Sequence, residues 1–122
     1  MGGKILIIDD DTDITTAYGA FFRSRGFEVM TAFNTKAARK IMEQFAPDLL
    51  ILDVMMEEPD EGFVFAQQLL DEKNMTPVII TSSIASAGAE LFDLDIPNVR
   101  SVIQKPADLD KLSSLVEKIL AD

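Results

Sequence analysis

The sequence predicts an α/β fold: a doubly wound, five-stranded parallel sheet in the order 2-1-3-4-5 with five helices, forming a single domain over residues 1–122. Three observations lead there. Short apolar runs alternate with amphipathic stretches from end to end, as expected of strands buried on both faces and helices buried on one. Five such alternations require a parallel sheet covered on both sides, and right-handed crossovers with short connections leave few topologies. The chain of 122 residues is long enough for one core and too short for two.

Lys4-Ile-Leu-Ile-Ile8 is the first strand and stops at Asp9-Asp10. Ile14, Ala17, Tyr18, Phe21 and Phe22 then fall on one face of a helix that Gly26 should end. Phe27 to Thr31 reads as the second strand, and Asn34 as the cap of a helix burying Ala38, Ile41, Met42 and Phe45. After Pro47, Leu49 to Leu52 form the third strand, again ending on an acid, Asp53. Gly62 lies near the start of a helix carrying Phe65, Ala66, Leu69 and Leu70. Pro77 to Ile80 form the fourth strand, ending on Thr81-Ser82-Ser83, and a short helix is expected around Ala87 to Phe92. Val99 to Ile103 form the fifth strand, which runs into Gln104-Lys105-Pro106. Asp108 can cap a last helix with Leu109, Leu112, Val116, Ile119 and Leu120 inward.

Composition narrows the chemistry. The chain has no Cys and no His, which excludes disulfides, thiolate nucleophiles, imidazole shuttles and Ser-His-Asp triads. What remains is carboxylates, hydroxyls, amines and a hard cation. With 21 acidic against 11 basic residues and a formal charge of −10, the domain is not expected to bind a nucleic-acid backbone directly. No apolar run is long enough to cross a membrane, and the stretch Ile5–Ile8 is too short for a signal peptide, so a cytoplasmic location is expected.

Parallel strands all point one way, so Asp9, Asp10, Asp53, Thr81 and Lys105 should converge on the carboxyl edge of the sheet, where ligands of such folds bind. Three carboxylates held together repel unless a cation sits among them, and Mg²⁺, a hard ion that keeps some waters, suits two or three of them. Lys105 adds a point charge fit for a phosphoryl oxygen, Thr81 adds a hydroxyl, and small Ser82 leaves room. Together these are parts for phosphoryl transfer.

The segments Ile5-Leu-Ile-Ile-Asp-Asp-Asp11, Leu49-Leu-Ile-Leu-Asp-Val-Met-Met56, Val78-Ile-Ile-Thr-Ser82 and Gln104-Lys-Pro106, in this order and spacing, resemble the receiver domain of two-component response regulators, a flavodoxin-like fold. The resemblance covers almost the whole chain. It implies that Asp53 is the phosphoacceptor and that Mg²⁺ is held by Asp10, Asp53 and the backbone carbonyl of Met55, with Asp9 acting mainly through a bound water. It also implies that Thr81, with Ser82 beside it, and Lys105 bind the phosphoryl group, that Lys105 pairs with Asp53 at rest, and that the Lys105–Pro106 peptide is cis. The implied partners are a sensor histidine kinase or phosphotransfer protein, and a downstream protein or output domain. The domain would not be an enzyme, but a phosphoacceptor that assists its own phosphorylation and dephosphorylation.

Three features depart from the family pattern. Glu57 stands where a Pro usually follows the acceptor by four residues, and Gly62 comes about one residue late. Val102 occupies a position that is often aromatic, which leaves no ring for a Thr-to-aromatic relay. The segment from Ile84 to Asn98 lacks a helix of normal length. Met55 and Ser83 hold positions that influence phosphoryl lifetime in the family.

Other readings compete. Asp9-x-Asp11-x-Asp13 imitates the start of a calcium loop, but Ile14 and Ala20 stand where Gly and Glu are needed. Asp11 reads as a helix cap or loop acid rather than a ligand. A haloacid-dehalogenase-like phosphatase would explain Asp9-Asp10-Asp11-Thr12, yet it leaves Asp53 without a role and lacks a later acidic motif. A degenerate receiver that only docks proteins is the remaining alternative.

Overall fold

A strand whose two faces are both apolar needs neighbours on each edge and helices above and below, and the two most apolar runs take the centre of the sheet. The computed structural model describes residues 2–54, 61–83 and 96–121. Their elements are β1 (Lys4–Ile8), α1 (Thr12–Ser24), β2 (Glu28–Ala32), α2 (Thr35–Gln44), β3 (Leu49–Asp53), α3 (Glu61–Asp71), β4 (Val78–Ser82), β5 (Val99–Gln104) and α4 (Leu109–Ala121). The strands form one sheet in the order β2-β1-β3-β4-β5, with every adjacent pair parallel. This is the predicted topology. The helix expected around Ala87 to Phe92 lies outside the described residues.

Strand periodicity divides the core in two. Ile5, Ile7, Leu49 and Ile51 face one side, with Tyr18 and Phe22 of α1 and Leu112, Val116 and Ile119 of α4. Leu6, Ile8, Leu50 and Leu52 face the other, with Ala38 of α2 and Phe63, Phe65 and Leu69 of α3. Burying each large aliphatic side chain contributes about 1.5–3 kcal/mol, so the β1–β3 pair anchors both layers.

The helix boundaries follow from capping. The Asp11 carboxylate accepts the Asp13 and Ile14 amides at 2.9 and 3.3 Å, so Asp11 is the N-cap of α1. Asn34 caps α2 through the Ala37 amide at 2.7 Å, and Asp108 caps α4 through Asp110 and Lys111. At the end of α1, Gly26 adopts φ +93°. Its amide donates to the Arg23 carbonyl, and that of Phe27 to the Phe22 carbonyl, while the two Phe rings meet edge to face at 5.8 Å. Phe27 is consumed by this cap, which is why β2 begins at Glu28 rather than at the expected Phe27.

Two assignments need correction. Ala17, expected inward, is exposed; the buried stripe of α1 is Thr15, Tyr18, Gly19 and Phe22. Thr15 tolerates burial because its hydroxyl donates to the Thr12 carbonyl at 3.1 Å. On α2, only Ala38 is fully buried, while Ile41, Met42 and Phe45 are half-buried.

The end of α3 carries a testable strain. The Lys73 and Asn74 amides close the same double hydrogen bond onto Leu70 and Leu69, but the residue at the left-handed position is Lys73, with φ 65°. A side chain there costs about 1 kcal/mol. Lys73→Gly is therefore expected to stabilise the fold by about 0.5–1 kcal/mol, read as a rise in urea midpoint at unchanged slope; a fall would contradict it.

Candidate functional site

Each strand end delivers one component. Asp9, just past β1, is fixed by its own amide, which donates to the Ala32 carbonyl of β2 at 3.0 Å. Asp53 closes β3 and sits opposite Thr81 in the ladder with β4. Lys105 follows β5, and its amide donates to the Ser82 carbonyl at 2.7 Å. Asp9, Asp53, Thr81 and Ser82 are buried, whereas Asp10 is exposed. Carboxylate oxygens of Asp9, Asp10 and Asp53 lie within 4.8 Å of one another. The Lys105–Pro106 peptide is cis. Met55, whose carbonyl was expected as a ligand, and Glu57 lie outside the described residues.

Lys105 pairs with Asp53, as the resemblance implies, and it pairs with Asp9 as well. Its ammonium is 2.7 Å from an Asp9 oxygen and 3.3 Å from Asp53, so it bridges both acids and lies nearer the first. The reason is electrostatic: one cation placed between two buried carboxylates relieves more repulsion than one committed to either. The second Asp9 oxygen accepts the Asp11 amide at 2.9 Å, which ties the acid pair to the start of α1. Burial alone would push the Lys105 ammonium down, but the hydrogen bond and charge of Asp9, then the charge and hydrogen bond of Asp53, outweigh it and hold its pKa above the ordinary 10.5.

Gly62 is required sterically. A Cβ on this residue would lie 2.5 Å from the Asp53 carbonyl oxygen and 2.7 Å from Val54 Cα. Its amide donates to the Val54 carbonyl at 2.9 Å, so the first turn of α3 rests directly on the backbone at the end of β3. Sequence reasoning placed Gly62 only as a helix start; its nearness to Asp53 is a tertiary fact. Val102 is half-buried against the α2–α3 side of the core. Asp11 serves as a cap and contributes no carboxylate to the acidic cluster.

The donor set fits Mg²⁺. The clustered side chains offer carboxylate oxygens and no soft ligand, two of the three acids are buried, and one is open to water, which suits an ion that retains part of its hydration shell.

The response regulator receiver domain family matches residues 5–117, and the chain belongs to this family. The regulatory protein AtoC of Escherichia coli (strain K12) is 30% identical over 117 residues, which are 96% of this chain and 25% of that protein. The alkaline phosphatase synthesis transcriptional regulatory protein PhoP of Bacillus subtilis (strain 168) is 29% identical over 120 residues, 98% of this chain and 49% of that protein. The receiver domain of the Francisella response regulator 1452 superposes with a TM-score of 0.86 at 27% identity, covering 98% of this chain and 97% of its own. The chain thus spans between a quarter and half the length of these curated relatives. It is a receiver domain of the two-component kind, and the phosphatase and bare docking-module readings are not favoured. No helix among the described residues is long and apolar enough to cross a membrane.

Proposed function

We propose that Asp53 accepts the phosphoryl group, taking it from a phosphohistidine on a sensor histidine kinase or phosphotransfer protein, and that the modified domain changes its binding to a downstream protein or output domain. The observation that carries this reading is the buried Asp53 carboxylate at the centre of a cluster formed by Asp9, Asp10 and Lys105, drawn from three strand ends. An Asp53 oxygen attacks phosphorus as the P–N bond of a phosphohistidine protonated on its other ring nitrogen breaks, leaving an acyl phosphate on the chain and neutral imidazole on the donor. Asp9, Asp10, Asp53 and the Met55 carbonyl would hold Mg²⁺, which when bound supplies positive charge to the phosphoryl oxygens. Lys105 and the Thr81 hydroxyl bind those oxygens, and Ser82 leaves space beside them. The protein's contribution is positioning and charge neutralisation around a loose transition state. The domain, residues 1–122 as one unit, acts in the cytoplasm as a phosphoacceptor rather than as an enzyme on a separate substrate. Its acidity, −10 overall, supports a protein partner over direct nucleic-acid contact.

The test is intact mass after incubation with Mg²⁺ and acetyl phosphate. One added phosphoryl group that requires Mg²⁺ and disappears in Asp53→Asn is the expected result. No gain, together with no Mg²⁺ binding by titration, would sink the proposal and leave a degenerate docking module.

A further inference from the structure

In a parallel ladder, alternate residues of a strand turn both backbone groups to the same neighbour. Two bonds fix the alternation in β2: the Glu28 amide donates to the Gly3 carbonyl, and the Ala32 carbonyl accepts the Asp9 amide, each at 3.0 Å. Glu28, Met30 and Ala32 therefore face β1, while Val29 and Thr31 turn their N–H and C=O groups outward. Among the described residues β2 ends the sheet on this side, so the outward groups form an open edge. Such an edge is a template for another strand unless something closes it.

This edge is complementary to a copy of itself. If two β2 strands met antiparallel about a two-fold axis at Met30, Val29 of each would lie opposite Thr31 of the other, and each such pair would exchange two N–H···O=C bonds. The Met30 side chains, 41% exposed, would stand directly opposite each other on the axis. Arg23 is in the way. It lies in the last turn of α1 and lays its guanidinium beside β2, where Nη2 donates to the Val29 carbonyl at 2.9 Å. Gly19, one turn earlier, makes room for it: a Cβ there would lie 3.3 Å from Arg23 Nη1 and 3.8 Å from Thr31 Cγ2.

We infer that Arg23 guards the β2 edge, and that without it the chain pairs with a second copy through β2. The guard acts in two ways. It occupies the Val29 carbonyl, which the paired arrangement needs once in each copy. It also holds a cation at the edge, and the two-fold axis would bring the same cation from the other copy onto the same ladder. The acidity of the whole chain, −10, opposes self-association at long range but is screened by salt; a guard in direct contact with the edge is not. Edge closure is independent of the phosphoacceptor chemistry.

The test compares the intact wild-type chain, Arg23→Ala and Arg23→Ala/Met30→Lys by sedimentation velocity and amide hydrogen exchange, each across protein concentration at fixed salt. Arg23→Ala is expected to dimerise with a dissociation constant at least about tenfold below that of wild type. Exchange of its Val29 and Thr31 amides is expected to slow about tenfold or more as concentration rises, with no such change in wild type. Met30→Lys, which sets like charges opposite each other on the axis, is expected to abolish both effects. If Arg23→Ala stays as monomeric as wild type, with exchange at both amides independent of concentration, the guard is overturned. Association that leaves those two amides unprotected arises elsewhere on the molecule and overturns it too, as does association that survives Met30→Lys. The exchange readout on Arg23→Ala decides the matter even if the double variant fails to fold.

Discussion

Replacing Lys105 by methionine is expected to slow phosphoryl uptake by Asp53 about a hundredfold, the scale on which removing one preorganised charge partner from a developing oxyanion acts. The same substitution has a second effect in the metal-free protein. Lys105 is the cation between Asp9 and Asp53, at 2.7 and 3.3 Å, with its side chain 15% exposed. Breaking a fully buried pair from one side costs about 3–5 kcal/mol; with part of this ammonium open to solvent, about 2 kcal/mol is the expected loss. Methionine keeps most of the stem's packing, so the loss isolates the charge. Mg²⁺ should restore much of it, since a divalent ion among the same oxygens answers the same repulsion. Urea unfolding of both proteins, with chelator and with Mg²⁺, checks this. A variant as stable as wild type in chelator would show that the acids do not depend on Lys105.

Gly62→Ala separates two opposing effects whose sizes decide the sign. In an ordinary helix, alanine for glycine gains about 1 kcal/mol. Here the new methyl would meet the Asp53 carbonyl oxygen at 2.5 Å and Val54 Cα at 2.7 Å, backbone atoms of the last residue of β3 and of the residue that follows it. They cannot yield without moving Asp53, so the overpacking term wins and a net loss of about 2–3 kcal/mol is expected. Mg²⁺ affinity should fall as well, because the Asp53 carboxylate moves with its own backbone. Denaturant midpoint and metal titration on the same sample read the two effects. A stabilised Gly62→Ala with unchanged Mg²⁺ affinity would mean that α3 can back away from β3 at little cost.

Much of this was legible in the residues because each signal was local. Asn34, Asp108 and Gly26 announce helix ends by chemistry that needs only a few neighbouring amides. The strands from Ile5 and from Leu49 announce burial through unbroken apolar runs, and Asp9, Asp53 and Lys105 share an edge once the strands are parallel. What escaped depends on contacts between distant segments. The buried stripe of α1 includes Thr15 and Gly19 in place of Ala17; a reading by apolarity passes over a hydroxyl satisfied within its own helix and a residue with no side chain. The second pairing of Lys105, with Asp9, joins strand ends 96 positions apart, which no spacing encodes. Lys73 in a left-handed conformation runs against residue preference, so preference could not find it.

The Asp9–Lys105 bond joins residues 96 positions apart, and it carries a consequence for how the protein is made. A ribosome delivers Asp9 and Asp10 first, Asp53 midway, and Lys105 only when most of the domain has emerged. Until then the acids have neither their lysine nor, without β5, the outer wall of the sheet beside β4. A nascent chain halted before β5 holds Asp9, Asp10 and Asp53 but not Lys105. The cluster of acids with its lysine is therefore completed in a single late step of synthesis.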